Sequence, residues 1–366
     1  MSPSLGGSRR EGTASANGDD AAGGLLAADV AMNTAPVIEA ASGDPTPVHR
    51  ILVCVDRSPS GVVCVHHAIV LGRALGSHLT LVHVLEPPHE PGGDALDWEI
   101  ARQEAGAYLE RLKDETARTL GRRVNVRLEE GHPAQRIVEL ARELHVDLTV
   151  LGSHGDGGVT PWNLGSTVHH VIAASRGSLF LAQTPGTADV TDPQRILVPL
   201  DGSRRTECVL PTAARIARAY RAELILVHVV RELSPTLVLH AAEDVDRARE
   251  LADHLAVSAK AYLEGLRVGL VCEGSPVRTL VTRHTNECHA ILETAQREHV
   301  DLLVVAAHGT DCHAERTLGS VTEYLLAHAH VPLLVLQDLP EAELHTPELV
   351  NQAAPPLRAS FPPGLA

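Results

Sequence analysis

The stretch HRILVCVDRSPSG at residues 49–61 places a run of branched apolar residues before an aspartate and two serines. A continuous apolar run is typical of a parallel strand covered on both faces, and Ser58 or Ser60 can cap a following helix. The same order of residue types returns in QRILVPLDGSRRT at residues 194–206. The chain therefore predicts two copies of a unit that opens with a strand and a helix.

Further matches extend the repeat. Asp56 corresponds to Asp201 and His83 to His228, at an offset of 145 residues in both pairs. Downstream, AYLERL matches AYLEGL and HVDLTVLGSHG matches HVDLLVVAAHG, now at an offset of 154 residues. A repeat of this length is too long for a solenoid and has the size of a single domain. The sequence thus indicates a tandem duplication with extra residues in the second copy.

Each copy alternates apolar runs with amphipathic segments. In the first copy, helices are expected over about 60–75, 97–119, 133–144 and 166–175, between the strands ILVCV, LTLVHV, VNVRLEE, DLTVLG and SLFLAQ. This alternation predicts an α/β fold: two Rossmann-like domains, each a five-stranded parallel sheet with helices on both faces. The last strands, SLFLAQ and PLLVLQ, are expected to pair, because an exposed apolar edge strand needs a partner.

The composition divides the chain further. Segments rich in small residues or proline predict tails without a stable fold. The predicted boundaries are a disordered tail at 1–48, a first domain at 49–186, a linker at 187–193, a second domain at 194–338 and a Pro-rich tail at 339–366.

Charge and residue usage exclude several classes of protein. The net charge of −15 and the 2% aromatic content argue against nucleic-acid binding, which needs cations and stacking rings. Apolar runs stay short of a membrane span, so no membrane contact is expected. The six cysteines form no CxxC pair, which favours a reducing cytoplasm.

The loop GSHGDGGVTPWNLGS at residues 152–166 carries the spacing G-x2-G-x9-G-S. It is neither a P-loop nor a dinucleotide fingerprint. One interpretation is a strand-to-helix loop with glycine turns and a serine cap. The other is a phosphate cradle, since glycines admit close approach and a helix start attracts anions.

The motifs ILVCVD, LVHV, EGHP, VDLTVLGSHG and LGST occur in this order, and in this the two copies resemble the universal stress protein family, in its ATP-binding branch. The resemblance implies flavodoxin-like domains that bind ATP, with or without Mg. It implies a first-copy site made of Cys54, Val55, Asp56, Val84, Gly152, His154, Gly155, Gly165, Ser166, Thr167 and Val168. The matching residues of the second copy are Asp201, Val229, His308, Gly309, Gly319, Ser320 and Thr322.

Within the resemblance, Asp56 is expected to accept hydrogen bonds from ribose hydroxyls; its other interpretation is a cap for the next helix. The second copy departs from the pattern, because Ala306 replaces Gly152. The alanine adds a methyl group where a close backbone approach is wanted, and alanine also disfavours positive φ. ATP is therefore expected mainly in the first copy, although the spacing from Gly309 to Gly319 is intact.

No catalytic set is apparent among the remaining candidates. The chain has 22 histidines, but His308, Cys312 and His313 lack a fourth ligand, so no metal site is expected. The resemblance implies a nucleotide-responsive stress-survival regulator that acts through an unidentified protein partner. The alternatives are a nucleotide-free dimeric scaffold and a slow ATP hydrolase. Pairing of the two halves is expected, and pairing of two chains into a homodimer stays open.

Overall fold

The computed structural model describes residues 48–87, 95–153, 164–183, 191–232, 242–271, 275–310 and 317–338. The predicted tails, apart from Val48, and residues 187–190 of the predicted linker lie outside these ranges. None of the helices in the described ranges combines the length and the apolar composition needed to cross a membrane.

The first half alternates strands and helices as the sequence predicts. Its elements are β1 (Arg50–Cys54), α1 (Pro59–Leu75), β2 (His78–Leu85), α2 (Ala95–Leu120), β3 (Val124–Glu130), α3 (Pro133–Glu143), β4 (Leu148–Gly152), α4 (Ser166–Ala174) and β5 (Ser178–Ala182). Proline at the start of α1 and of α3 suits the first helical turn, where its missing N–H costs no hydrogen bond. Gly76 ends α1 in the left-handed conformation, at φ 74°.

The second half repeats this order. Its elements are β6 (Arg195–Pro199), α5 (Arg204–Glu207), α6 (Leu210–Tyr220), β7 (Glu223–Arg231), α7 (Ala242–Val271), β8 (Val277–His284), α8 (Glu287–Arg297), β9 (Leu302–Ala306), α9 (Ser320–His328) and β10 (Leu333–Leu336). The helix that follows β6 is split into α5 and α6, whereas α1 is continuous. The predicted fold class, two tandem α/β units with parallel strands, is confirmed.

The ten strands of the described ranges form one sheet in the order β3-β2-β1-β4-β5-β10-β9-β6-β7-β8. Neighbours within each half are parallel, and β5 and β10 are antiparallel, with Phe180 opposite Leu334. These are the two strands that the sequence marks as pairing edges. Because β5 and β10 are antiparallel, the strands of the two halves run in opposite directions. The carboxyl ends of the two sets of strands therefore point to opposite sides of the sheet, along the strand direction.

The aspartate of each HVDL motif fixes the entry of a domain. Asp147 Oδ2 accepts hydrogen bonds from the backbone N–H groups of His49 and Arg50, both at 2.8 Å. Asp301 Oδ2 does the same for Gln194 at 2.9 Å and Arg195 at 2.8 Å. Each carboxylate thus joins the start of one strand to a neighbour about a hundred residues later, and this motif residue has a structural role.

Helices α1 and α6 pack across the junction of the halves. Tyr220 Oη donates to the carbonyl of Val70 at 2.8 Å, and Arg215 Nη2 donates to that of Leu75 at 2.7 Å. The core on each face of the sheet contains buried residues from both halves. The apolar interior is therefore continuous from one half to the other.

His67 lies at this junction, with its ring 5.1 Å from that of Phe180. Burial lowers the pKa of His67 to about 4, and the neighbouring His66 lowers it further. Between pH 6.5 and pH 4 the unfolded chain then binds a proton that the folded chain does not, so stability falls as pH falls. We expect a loss of up to about 3 kcal/mol in the free energy of unfolding over this window.

Chemical denaturation of the parent and of His67→Leu, at a series of pH values, measures this contribution. The variant keeps an apolar contact with Phe180 and is expected to lose less stability between pH 6.5 and pH 4. Near pH 7.5 the two proteins should differ by about 1 kcal/mol or less. Parallel stability curves for both proteins across the acid range would contradict the expectation.

Candidate functional site

The site predicted in the first half lies at the carboxyl ends of β1, β2 and β4. Strand β1 sits between β2 and β4 in the sheet: the chain runs from β1 outward to β2 and β3, and then crosses to β4 on the other side of β1. This is the switch point at which parallel α/β sheets bind ligands. The fold thus brings together at one edge the predicted residues Cys54, Val55, Asp56, Val84, Gly152, Gly165, Ser166, Thr167 and Val168. His154 and Gly155 lie outside the described residues.

Asp56 follows β1 and is held in a tight turn. Its Oδ1 accepts from the N–H of Ser58 at 3.1 Å and also from the hydroxyl of Ser58. Ser58 therefore stands at the N-cap position of α1 without capping it through its side chain. Within the described ranges no hydrogen bond reaches Asp56 Oδ2, so that oxygen keeps its capacity to accept. Gly61 permits the turn, because a Cβ there would lie 2.5 Å from the carbonyl oxygen of Asp56.

Tyr108 is a contributor that the sequence did not single out. Its hydroxyl donates to the carbonyl of Asp56 at 3.0 Å, and its ring meets that of His83 edge-on at 6.5 Å. His83 Nδ1 lies 2.8 Å from the carbonyl of Val55, so this histidine of the LVHV motif joins β2 to the end of β1. The repeated motif AYLE, which contains Tyr108, was the available signal for this support.

Cys54 and Val55 are the apolar residues directly before Asp56. Burial raises the pKa of the Cys54 thiol well above its usual range, and Cys64 nearby adds to the shift. A neutral thiol is a poor nucleophile, so Cys54 acts here as a small apolar side chain. Val84 is half-buried near the end of β2, where it pairs with Glu129 of β3.

The amino end of α4 faces the same edge. Gly165 is its N-cap, at φ −60° and ψ 152°, and its N–H donates to Ser153 at 3.2 Å. The first helical bond runs from His169 to Gly165, so the N–H groups of Ser166, Thr167 and Val168 have no helical acceptor. Such a turn attracts anions through these donors and through the helix dipole.

Gly165 is not required by the backbone. Its φ is accessible to any residue, and among the described atoms an added Cβ would meet only the carbonyl oxygen of Ser153, at 3.9 Å. That distance is an ordinary van der Waals contact. A glycine that the described fold does not need favours a close approach by something else.

In the second half, Asp201 occupies the position of Asp56 but differs in its partners. Its Oδ1 accepts from the N–H of Ser203 at 2.8 Å and from the hydroxyl of Thr206 at 2.7 Å. Its Oδ2 accepts from the N–H of Thr310 at 2.7 Å and from the hydroxyl of the same residue at 2.8 Å. Partial burial raises the pKa of Asp201, but the hydrogen bonds outweigh this effect and lower it to about 2.

His308 is engaged inside the second half. Its Nδ1 lies 2.8 Å from Asp338 Oδ1, its backbone N–H donates to the same oxygen at 3.0 Å, and both side chains are 1% exposed. Arg205 Nη1 reaches Asp338 Oδ2 at 3.1 Å. The Thr322 hydroxyl donates to the carbonyl of Ala306 at 2.8 Å. These polar groups already have protein partners.

The remaining candidates of the second half keep their predicted places. Gly319 is the N-cap of α9 at φ −74°, Ser320 begins that helix, and Val229 lies near the end of β7. Ala306 is the last residue of β9 and its φ is not positive, so the backbone conformation that alanine disfavours does not arise there. Among the described residues, no group of three or more His, Cys, Asp or Glu side chains is placed to hold a metal ion.

The comparison with protein families matches the two halves of the chain separately. A model of the universal stress protein family matches residues 47–181 and 193–337. Universal stress protein MJ0577 of Methanocaldococcus jannaschii is 29% identical over 154 residues, which is 39% of this chain and 94% of that protein. Universal stress protein Rv2005c of Mycobacterium tuberculosis is 27% identical over 209 residues, 56% of this chain and 65% of that protein.

Solved structures support the fold. A universal stress protein from Archaeoglobus fulgidus has a TM-score of 0.56 at 15% identity, covering 80% of this chain and 99% of its own. Protein PA1789 of Pseudomonas aeruginosa, described as functionally unknown, has a TM-score of 0.53 at 16% identity, covering 82% and 96%. Both matches extend over most of the tandem arrangement.

Proposed function

The chain belongs to the universal stress protein family, and on this premise we propose that its first half binds ATP at the edge formed by Asp56 and the amino end of α4. The observation that carries the proposal is the open acceptor oxygen of Asp56, at the same edge as the helix-start N–H groups of Ser166, Thr167 and Val168. A nucleotide offers both complements, because its ribose donates hydrogen bonds and its phosphates accept them.

The parts of the site suit the parts of ATP. Asp56 accepts from the ribose hydroxyls through Oδ2, since Oδ1 is already bound to Ser58. The phosphates lie at the amino end of α4, where Gly165 leaves room for them. The half-buried Val84 lies by the adenine. Titrations of ATP in the presence of Mg and in the presence of EDTA test whether Mg is bound with the phosphates.

We extend this proposal to the biological role that the family implies. The protein acts in stress survival as a nucleotide-responsive regulator, through a protein partner in the cytoplasm. Support comes from membership of the family and, for the location, from the scattered cysteines, of which Cys54, Cys64, Cys208 and Cys288 are free thiols in the described ranges.

Calorimetric titration of ATP into nucleotide-free protein, beside the variant Asp56→Asn, tests the proposal. Asparagine retains one acceptor oxygen for the turn with Ser58 but places an amide where Oδ2 was. Removing a hydrogen bond to a charged group costs about 1.5–3 kcal/mol, so we expect Kd to rise roughly 10- to 100-fold. Asp246→Asn, an exposed change on α7, is the matched control and should leave Kd unchanged.

Repeating both titrations with 2′-deoxy-ATP and 3′-deoxy-ATP assigns the contact. If Asp56 binds a ribose hydroxyl, the deoxy analogue lacking it should bind the parent more weakly but lose little more in Asp56→Asn. Additive losses would show that Asp56 acts elsewhere. Absence of a binding heat in the folded parent would refute ATP binding. The glycine loop would then serve only as the connection between β4 and α4.

A further inference from the structure

In the second half, the chain itself occupies the acceptor positions of Asp201. Asp201 accepts four hydrogen bonds, two at each oxygen, from Ser203, Thr206 and Thr310. A carboxylate has about four lone-pair positions, so no acceptor site is left for a ligand hydroxyl. The low pKa of Asp201, about 2, agrees with a carboxylate whose charged form is held by these donors.

We infer that Thr310 closes the second cleft by occupying the oxygen that a ribose hydroxyl would need, so that each chain binds one nucleotide, in its first half. The inference rests on the proposed function, because it uses the role given to Asp56 in the first half. Thr310 contacts Asp201 across 109 positions of sequence, from the loop after β9 to the turn after β6. It ties together the two elements between which a nucleotide would enter.

The sequence of the first half has other residue types at the two positions that make this closure. The 145-residue offset matches Thr206 to Gly61, which has no side chain to donate. The 154-residue offset matches Thr310 to Asp156, which lies outside the described residues and whose ionised carboxylate has no hydrogen to donate. Residue identity at these two positions therefore distinguishes an open cleft from a closed one.

Neighbouring residues in the second half are fitted to the closed arrangement. A Cβ at Gly309 would lie 2.7 Å from Asp201 Oδ2, so a larger residue here would force that carboxylate to move. His308, the next residue back, is directed to Asp338 in the interior. Internal packing against Asp201 thus favours a glycine at position 309.

Counting ATP sites tests the inference. Equilibrium dialysis with Mg-ATP is run on the nucleotide-free parent and on Thr310→Asp, which copies the first half. We expect one site per chain in the parent and two in the variant. Thr317→Val is the control: its hydroxyl bonds the carbonyl of Ala173, at 3.3 Å, and its loss should leave one site. Thermal unfolding verifies that each protein is folded.

Each outcome decides one of the two claims. Two sites in the parent would overturn the closure while leaving ATP binding intact, and one site in both proteins would overturn the role of Thr310. No site in the parent but one in Thr310→Asp would refute ATP binding in the first half and support the closure. No site in either protein would overturn both.

A measurement without nucleotide tests the contact between Thr310 and Asp201 directly. Carboxyl NMR titration should find the Asp201 pKa near 2 in the parent and clearly higher in Thr310→Asp, because donors are lost and a like charge is added. An ordinary aspartate pKa in the folded parent would mean that Thr310 does not hold the carboxylate, and would overturn the inference.

Discussion

Gly165→Asp is expected to weaken ATP binding at least 100-fold while leaving the free energy of unfolding unchanged or slightly higher. The loss of affinity and the unchanged or higher stability have the same cause. Residue 165 is the N-cap of α4, and aspartate is among the best N-cap residues because its carboxylate satisfies helix N–H groups. The same carboxylate would occupy those donors and oppose the phosphates.

The size of the loss follows from the electrostatics. Two like charges about 4 Å apart repel by about 4 kcal/mol at the effective dielectric of a protein surface, which corresponds to roughly three orders of magnitude in Kd. Salt and rearrangement reduce this figure, so 100-fold is the lower expectation. Calorimetry for Kd and urea denaturation for stability measure both quantities on one preparation.

The matched control is Gly265→Asp, which makes the same substitution on α7 of the second half, where an added Cβ meets nothing within 4 Å. It should leave Kd for ATP unchanged. If Gly165→Asp binds ATP like the parent, the phosphates do not lie at the amino end of α4. If it instead unfolds at a much lower urea concentration, the fold needs Gly165. That result would favour the interpretation of the loop as a plain strand-to-helix connection.

The second large effect concerns the junction. Phe180→Ala should lower the free energy of unfolding by about 3–5 kcal/mol, because the side chain is 1% exposed and its removal leaves a cavity. Phe180 lies on β5 between Val150 of β4 and Leu334 of β10, and also packs against His67. Its contacts therefore reach both halves of the molecule.

Because the core is continuous across the junction, the loss should appear in a single transition that includes both halves. Urea denaturation followed by circular dichroism, with hydrogen exchange resolved by segment, gives the stability of each half separately. Val62→Ala, at a side chain 42% exposed on α1, is the control and should change stability by about 0.5 kcal/mol or less. Destabilisation of the first half alone would show that the halves unfold independently.

The fold could be predicted from the sequence because its signals are local and occur twice. Apolar runs fixed the strands, and prolines at the starts of α1 and α3 fixed two helix boundaries. The pairing of SLFLAQ with PLLVLQ followed from their apolar edges. The direction of that pairing was not predictable, since both edges are apolar and either orientation would bury them.

The difference between the two clefts could not be predicted, because it depends on contacts between distant residues. Asp56 and Asp201 look equivalent in their local motifs. Only the fold shows that Thr310 reaches Asp201, and that the Ser58 hydroxyl turns back to Asp56. Ala306, which the sequence marks as the weakness of the second half, lies in ordinary strand geometry.

The antiparallel contact of β5 with β10 has a further consequence for assembly. Two separate α/β subunits that joined through such strands would fall apart on dilution, as any dimer does below its dissociation constant. Here one polypeptide carries both partners, so the local concentration of one half around the other is set by the connecting chain and is independent of abundance. A molecule of this kind keeps its paired form even when a cell makes very few copies.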